Sequence, residues 1–252
     1  MCRYEENPLE EQSLRKSLIA AGAVALAVSG AGVAYAQNAA PTIDVKPSVS
    51  PSKAGTKHKP RAEKFTLTVT NNVNESKATA NQIKITFPST LKLSTKGLPQ
   101  CTKSEDAILA APKTACKKSI AGSGSSHVIL GPATGNPTNV TFQVLPIVGK
   151  NEMIYYLNAP GLTQAVIHGK LKGHTQTISI PEVLQQPVTG LYSAIVDLKT
   201  TLSLKKGKHS LITSSGCKGG HHTIKVTETF VPNPTPPVPD TATATGKARC
   251  HK

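Results

Sequence analysis

The chain has 252 residues, with 29 Lys and Arg against 14 Asp and Glu, a formal net charge of +15, no Trp and only 4% aromatic residues. So basic a balance favours anionic partners, while the scarcity of aromatic faces argues against a stacking platform for single-stranded nucleic acid or sugar. Arg61 and Arg249 are the only arginines after residue 36, so the bidentate forks that read bases are almost absent. The expected partner is an anionic cell-wall polymer or membrane surface, held by general electrostatics, with no specific nucleic acid.

Residues 1–36 read as an export signal. Arg15 and Lys16 precede an apolar run from Leu18 to Ala36 that ends in Ala34-Tyr35-Ala36, the small-x-small pattern that signal peptidase cuts. Ala and Gly dominate the run, which weakens the alternative of an uncleaved anchor. Four glutamates precede it, where a signal is normally basic, and point to Leu14 rather than Met1 as the initiating position. Residues 1–36 carry a net −1, so cleavage leaves a +16 chain that is secreted or associated with the cell envelope.

From residue 42 onward, short alternating segments recur between turn residues, the signature of half-buried strands. Phe65, Leu67 and Val69 alternate with threonines, and Ile83, Ile85 and Phe87 repeat the pattern. Further strands are expected over 42–48, 126–131, 139–148, 152–158, 164–171, 175–180, 192–204, 209–214 and 222–230. One short helix is expected in "EDAILAA", with Ser104 as its N-cap, Glu105 and Asp106 near its positive end and Pro112 as its stop. Many strands and one helix predict an antiparallel β-sandwich, loosely immunoglobulin-like, over residues 37–231. Residues 50–64, "SPSKAGTKHKPRAEK", read as an exposed basic loop, with Lys53, Lys57, Lys59 and Arg61 as the candidate polyanion contact. Residues 232–252, which open "PNPTPPVPD", read as a proline-stiffened tail.

Four cysteines follow the signal. An even count in an exported chain is first a disulfide count, and sequence proximity favours Cys101–Cys116 and Cys217–Cys250 over the other two pairings. The second bridge would tie the tail back through Cys250. "SSGCKGGHHTIKV" is then a bridge and a turn rather than a metal site, because it offers no C-x-x-C and no H-x-x-x-H spacing. Adjacent His221 and His222 would face opposite ways on the strand that follows. No cofactor motif is present.

Several phrases resemble exported proteins of high-GC Gram-positive bacteria: "QIKITFPSTLKLSTKGLPQC", "ACKKSIAGSG", "LYSAIVDLKTTLS" and "VPNPTPP". The resemblance spans most of the chain after residue 36 and implies no activity and no residue role.

An enzyme would need a nucleophile beside a base, or paired carboxylates. Asp197, in "SAIVDLKTTL", is the one acid in an otherwise apolar strand. It reads as an outward carboxylate paired with a neighbouring lysine, with no second carboxylate in support of catalysis. The expected function is therefore non-enzymatic binding or structural contact at the cell surface. The alternatives are a secreted hydrolase whose site no motif reveals, for which Asp197 is the residue to test, and a metal-binding envelope protein that uses His221 and His222.

Overall fold

A computed structural model describes residues 41–72, 78–131, 138–187, 192–231 and 241–252. The expected export signal lies outside the described residues, as does the 232–240 part of the expected tail. The alternation read above forms strands almost where it occurs. In chain order these are β1 (Thr42–Ser50), β2 (Arg61–Ala62), β3 (Lys64–Asn72), β4 (Ala80–Thr86) and β5 (Leu91–Leu93). A meander follows, of β6 (Gly122–Gly131), β7 (Thr138–Val148), β8 (Glu152–Ala159), β9 (Thr163–Lys172) and β10 (Thr175–Ser179). The chain continues through β11 (Tyr192–Leu202), β12 (Lys205–Lys206), β13 (His209–Ser210), β14 (Ile212–Ser214), β15 (His221–Phe230) and β16 (Thr241–Arg249).

Eleven of these strands make one antiparallel sheet in the order β1-β3-β11-β6-β7-β8-β9-β10-β4-β15-β16. This corrects the expected sandwich of two sheets: the sheet curls on itself until its two edge strands meet, in a nearly closed barrel. Past the end of β1 the chain runs beside the residues that follow β16, with a parallel bridge between Lys53 and His251. His251 N–H donates to the Ser52 carbonyl at 2.9 Å and Ala54 N–H to the His251 carbonyl at 2.8 Å. The two edge strands thus pack against each other instead of standing open, although only the bridge beyond their ends is hydrogen-bonded.

The expected tail is corrected as well. Residues 241–249 are strand β16, paired in unbroken register with β15 from His221↔Arg249 to Thr229↔Thr241. Its inward residues are small, with Ala242 and Ala248 buried, because β1 packs close against them. A Cβ at Gly246 would collide with the Val45 carbonyl oxygen and Pro47 Cδ. The Thr-Ala alternation of "TATATGKA" is thus a strand period written in residues too small to register as a hydrophobic pattern.

Inside, Phe65, Leu67 and Val69 of β3 face Ile83 and Ile85 of β4 and Ile224 and Val226 of β15 in one core. Phe65 and Phe87 meet edge to face at 5.4 Å between ring centroids. One end of the barrel is plugged: β2, β14 and β5 form a small sheet of their own, and Leu91, Leu93, Leu98, Leu211 and Ile212 join the core there.

The helix expected after Ser104 is α1 (Glu105–Ala110), and Ser104 Oγ accepts from Ala107 N–H at 3.4 Å. Pro112 ends it by opening α2 (Pro112–Ala115). Ile108, together with the Cys101–Cys116 bridge, covers Ile147, Ile154, Tyr156 and Val166 on the outer face of β7, β8 and β9. The centre of β8 is therefore buried on both faces. A further turn of helix, α3 (Glu182–Gln185), crosses between β10 and β11 at the barrel end away from the plug. No helix among the described residues is long and apolar enough to cross a membrane.

Candidate functional site

Both expected disulfides are formed. Cys101–Cys116 and Cys217–Cys250 have Cα separations of 5.3 and 5.8 Å, and such bridges persist in an oxidising, extracellular kind of environment. The second organises a strongly basic surface. Cys217, Cys250 and Ala54 make a small buried cluster, so the loop 51–60 is docked onto the bridge rather than free of apolar contacts as its composition suggested. Arg61 Nη1 donates to the Lys53 carbonyl at 3.4 Å and Gly55 N–H to Ser214 Oγ at 3.1 Å, which closes the loop on itself and on β14.

Three segments that are distant in the sequence meet at this bridge. The loop supplies Lys53, Lys57, Lys59 and Arg61, all exposed. The turn after Cys217 supplies Lys218, and its Gly219 and Gly220 adopt φ of 64° and 77°, the left-handed backbone that the "KGG" composition calls for. The end of β16 and the residues after it supply Lys247, Arg249, His251 and Lys252. Pairing brings them together: Lys53 bridges His251, Arg249 lies opposite His221, and Cys250 N–H donates to the Gly220 carbonyl at 2.9 Å. A surface cleft of about 540 Å³ lies among His221, Lys247, Arg249 and His251, and a neighbouring one of about 630 Å³ among Lys218, His251 and Lys252. Among the described residues no carboxylate forms an ion pair with any of these cations; the ion pairs lie elsewhere, at Lys46–Asp44, His127–Asp197 and around His168. Sequence reasoning found the loop and missed the other half of the surface, because only the closure of β16 onto β1 puts Lys247 to Lys252 beside it.

The carboxylate nearest this surface is withheld from it. Glu63 follows Arg61 but is 3% exposed. Burial pushes its carboxyl above the usual range, and Ser214 and Arg61 offset only part of the effect. Glu228, inside the barrel on β15, is raised to about 7 by burial, moderated by a hydrogen bond from Asn71.

The remaining candidates separate. His222 is fully buried and its Nδ1 shares a 3.0 Å hydrogen bond with Thr90 Oγ1, whereas His221 lies on the opposite face. Burial, and then the neighbouring His221, depress the His222 pKa. With Cys217 in a disulfide, the cysteine and two histidines of "CKGGHH" do not converge on one point. No group of three or more His, Cys, Asp or Glu among the described residues is placed to hold a metal.

Asp197 does not pair with a lysine, as its flanking sequence suggested. Its partner is His127 on the adjacent β6, with Asp197 Oδ2 and His127 Nδ1 2.6 Å apart. The described residues offer His127 no hydroxyl partner, so a His-Asp pair is present without a nucleophile bonded to it. His168 lies between two carboxylates, Glu152 Oε2 and Glu105 Oε1, each at 3.0 Å. It pins α1 to β8 and β9.

No protein-family model matches the chain, and no curated protein matches it.

Proposed function

We propose that this chain is an exported, non-catalytic binding protein that holds anionic envelope polymers against the basic surface around Cys217–Cys250. The observation that carries the reading is the convergence of Lys53, Lys57, Lys59, Arg61, Lys218, Lys247, Arg249 and Lys252 from three segments, with no carboxylate paired to them among the described residues. Like charges held together repel, and a bridge and several backbone bonds are spent on holding them. A polymer of regularly spaced anions gains from every one of these cations at once, whereas a small anion would use one or two. Because lysine offers point charges rather than forks, the contact selects for charge density more than for a particular group.

The test is retention on a teichoic-acid-type polymer. Wild-type protein should be retained at low salt and released as added salt shortens the screening length to about 10 Å at 0.1 M. Replacing Lys53, Lys57, Lys59 and Arg61 with Gln should weaken retention, and adding Lys218→Gln, Lys247→Gln and Arg249→Gln should abolish it with the fold intact. Undiminished retention of the folded sevenfold variant would reject the surface. Retention on anionic vesicles alone would reject the polymer as the partner.

A further inference from the structure

The end of the barrel opposite the plug encloses a cavity of about 390 Å³. Close-packed protein interiors hold few voids larger than a water molecule, and an unfilled one lowers stability roughly in proportion to its volume. An eleven-stranded barrel has a wider interior than side chains fill unaided. At the plugged end the small sheet of β2, β5 and β14 fills it, and at the other end nothing of comparable bulk does so among the described residues.

The walls are aliphatic and aromatic, with Ile83, Ile85, Val128, Phe142, Ile167 and Ile195 turned inward. A bulge at Val196, where the pairing of β11 with β6 shifts register, lets both Ile195 and Leu198 face the cavity. Three of the polar wall groups are already engaged by the protein. Ser126 Oγ donates to the Asp197 carbonyl at 2.9 Å, Ser193 Oγ donates to the Leu184 carbonyl, and the Tyr155 hydroxyl accepts from Gln176 Nε2 at 2.7 Å. A buried water needs two to four polar partners, and an apolar cavity without them stays dry and takes apolar guests. Among the described residues no lysine, arginine, histidine or carboxylate lines the space, so none of them offers a charged head a partner inside. The two large apolar side chains most exposed among the described residues, Leu162 at 64% and Val183 at 67%, both belong to this cavity. They extend its apolar lining out to solvent.

We infer that this cavity is a binding site for the hydrocarbon chain of a single-chain lipid, which enters tail first and leaves its polar head outside near Leu162 and Val183. The inference does not depend on the polyanion reading, since the plug separates the two sites. The volume falls within the range of small-molecule sites, about 300–1,000 Å³. Selectivity here is for length and cross-section, because the wall is mostly aliphatic and aromatic and its Ser126, Ser193 and Tyr155 hydroxyls are bonded within the protein.

Calorimetric titration of the purified protein with fatty alcohols and fatty acids of increasing chain length tests this. One molecule should bind per chain, and affinity should rise by about fourfold for each added methylene until the cavity is full. Alcohol and acid of equal length should bind alike at any salt concentration. Val128→Phe and Ile195→Phe, which fill the space, should each weaken binding at least about tenfold, the loss of one to two buried methylenes, while the melting temperature holds or rises. Saturable binding at no chain length would overturn the inference, as would affinity that both fillings leave unchanged. Binding of the acid but not the alcohol would also overturn it, since that places the ligand on the cationic surface. Should a filled variant fail to fold, a fatty alcohol with a photoreactive tail decides the matter on the unaltered protein: crosslinks should fall on β6, β7, β9 and β11 wall residues, and crosslinks confined to outward residues would refute the site.

Discussion

Asn71 Nδ2 donates to Glu228 Oε2 at 2.8 Å, which joins β3 to β15 inside the barrel across 157 positions of sequence. Glu228 is 1% exposed, and Asn71 Oδ1 is buried with no partner among the described residues. A protonated Glu228 supplies the donor that this oxygen lacks, so the pair is most stable as a neutral amide and acid.

The consequence is a pH dependence of known sign. Glu228 rises from an ordinary 4.5 to about 7 in the fold, so the folded state holds a proton that the unfolded chain has released. Its stabilising contribution is complete below about pH 4.5 and is lost as pH rises through about 7, at a total cost of about 3 kcal/mol. Urea unfolding of wild type and Glu228→Gln across this interval should show the difference between them growing in favour of the variant toward alkaline pH. Taking the difference isolates Glu228 from His222, whose depressed pKa acts in the opposite sense by destabilising the fold as pH falls below about 6.5. Parallel pH profiles for the two proteins would contradict the assignment.

The seam between β1 and β16 depends on Gly246. Gly246→Val would drive a branched side chain into the Val45 carbonyl and Pro47, and the expected loss is about 1–3 kcal/mol. Hydrogen exchange should accelerate first in β1 and at His251, where the seam is bonded, and least in the β6–β8 meander. A variant as stable as wild type would mean that the two strands do not meet there.

Much of this fold was legible in the sequence because a half-buried strand repeats every two residues, whatever its neighbours. Phe65-x-Leu67-x-Val69 and Ile83-x-Ile85 could only be strands facing a core, and the four cysteines paired as proximity suggested. What was not legible is non-local. Period-two patterning makes an inward face but does not say whether the opposite wall belongs to a second sheet or to the same sheet curled round, so a sandwich and a barrel read alike. β16 was hidden because Ala242, Ala248 and Gly246 are small for the sake of a strand some 200 residues away. The basic surface was half visible for the same reason: Lys53 to Arg61 are contiguous, whereas Lys247 and Arg249 join them only through closure. The His127 partner of Asp197 comes from a neighbouring strand, and a lone sequence displays only flanking lysines.

The Cys217–Cys250 bridge should matter to stability and to binding together. Cys250→Ala, with Cys217→Ala to avoid a stray thiol, should cost about 2–5 kcal/mol and should release the residues after β16 from the loop 51–60. Retention on anionic polymer should fall even though every lysine is still present, because the cations no longer share one surface. Removal of Cys101 and Cys116 should instead loosen α1 over β7, β8 and β9 and leave retention unchanged. Equal effects of the two removals on retention would contradict the role given to the second bridge.

The most direct measurement is lysine footprinting in the presence and absence of wall polymer, with acetylation read residue by residue. Lys53, Lys57, Lys59, Lys218, Lys247 and Lys252 should be protected together, and the protection should vanish at high salt. Lys84 and Lys170, exposed on the outer faces of β4 and β9, should stay as reactive as in the free protein. Uniform protection of all lysines, or protection centred on Lys205, Lys206 and Lys208 instead, would contradict the account.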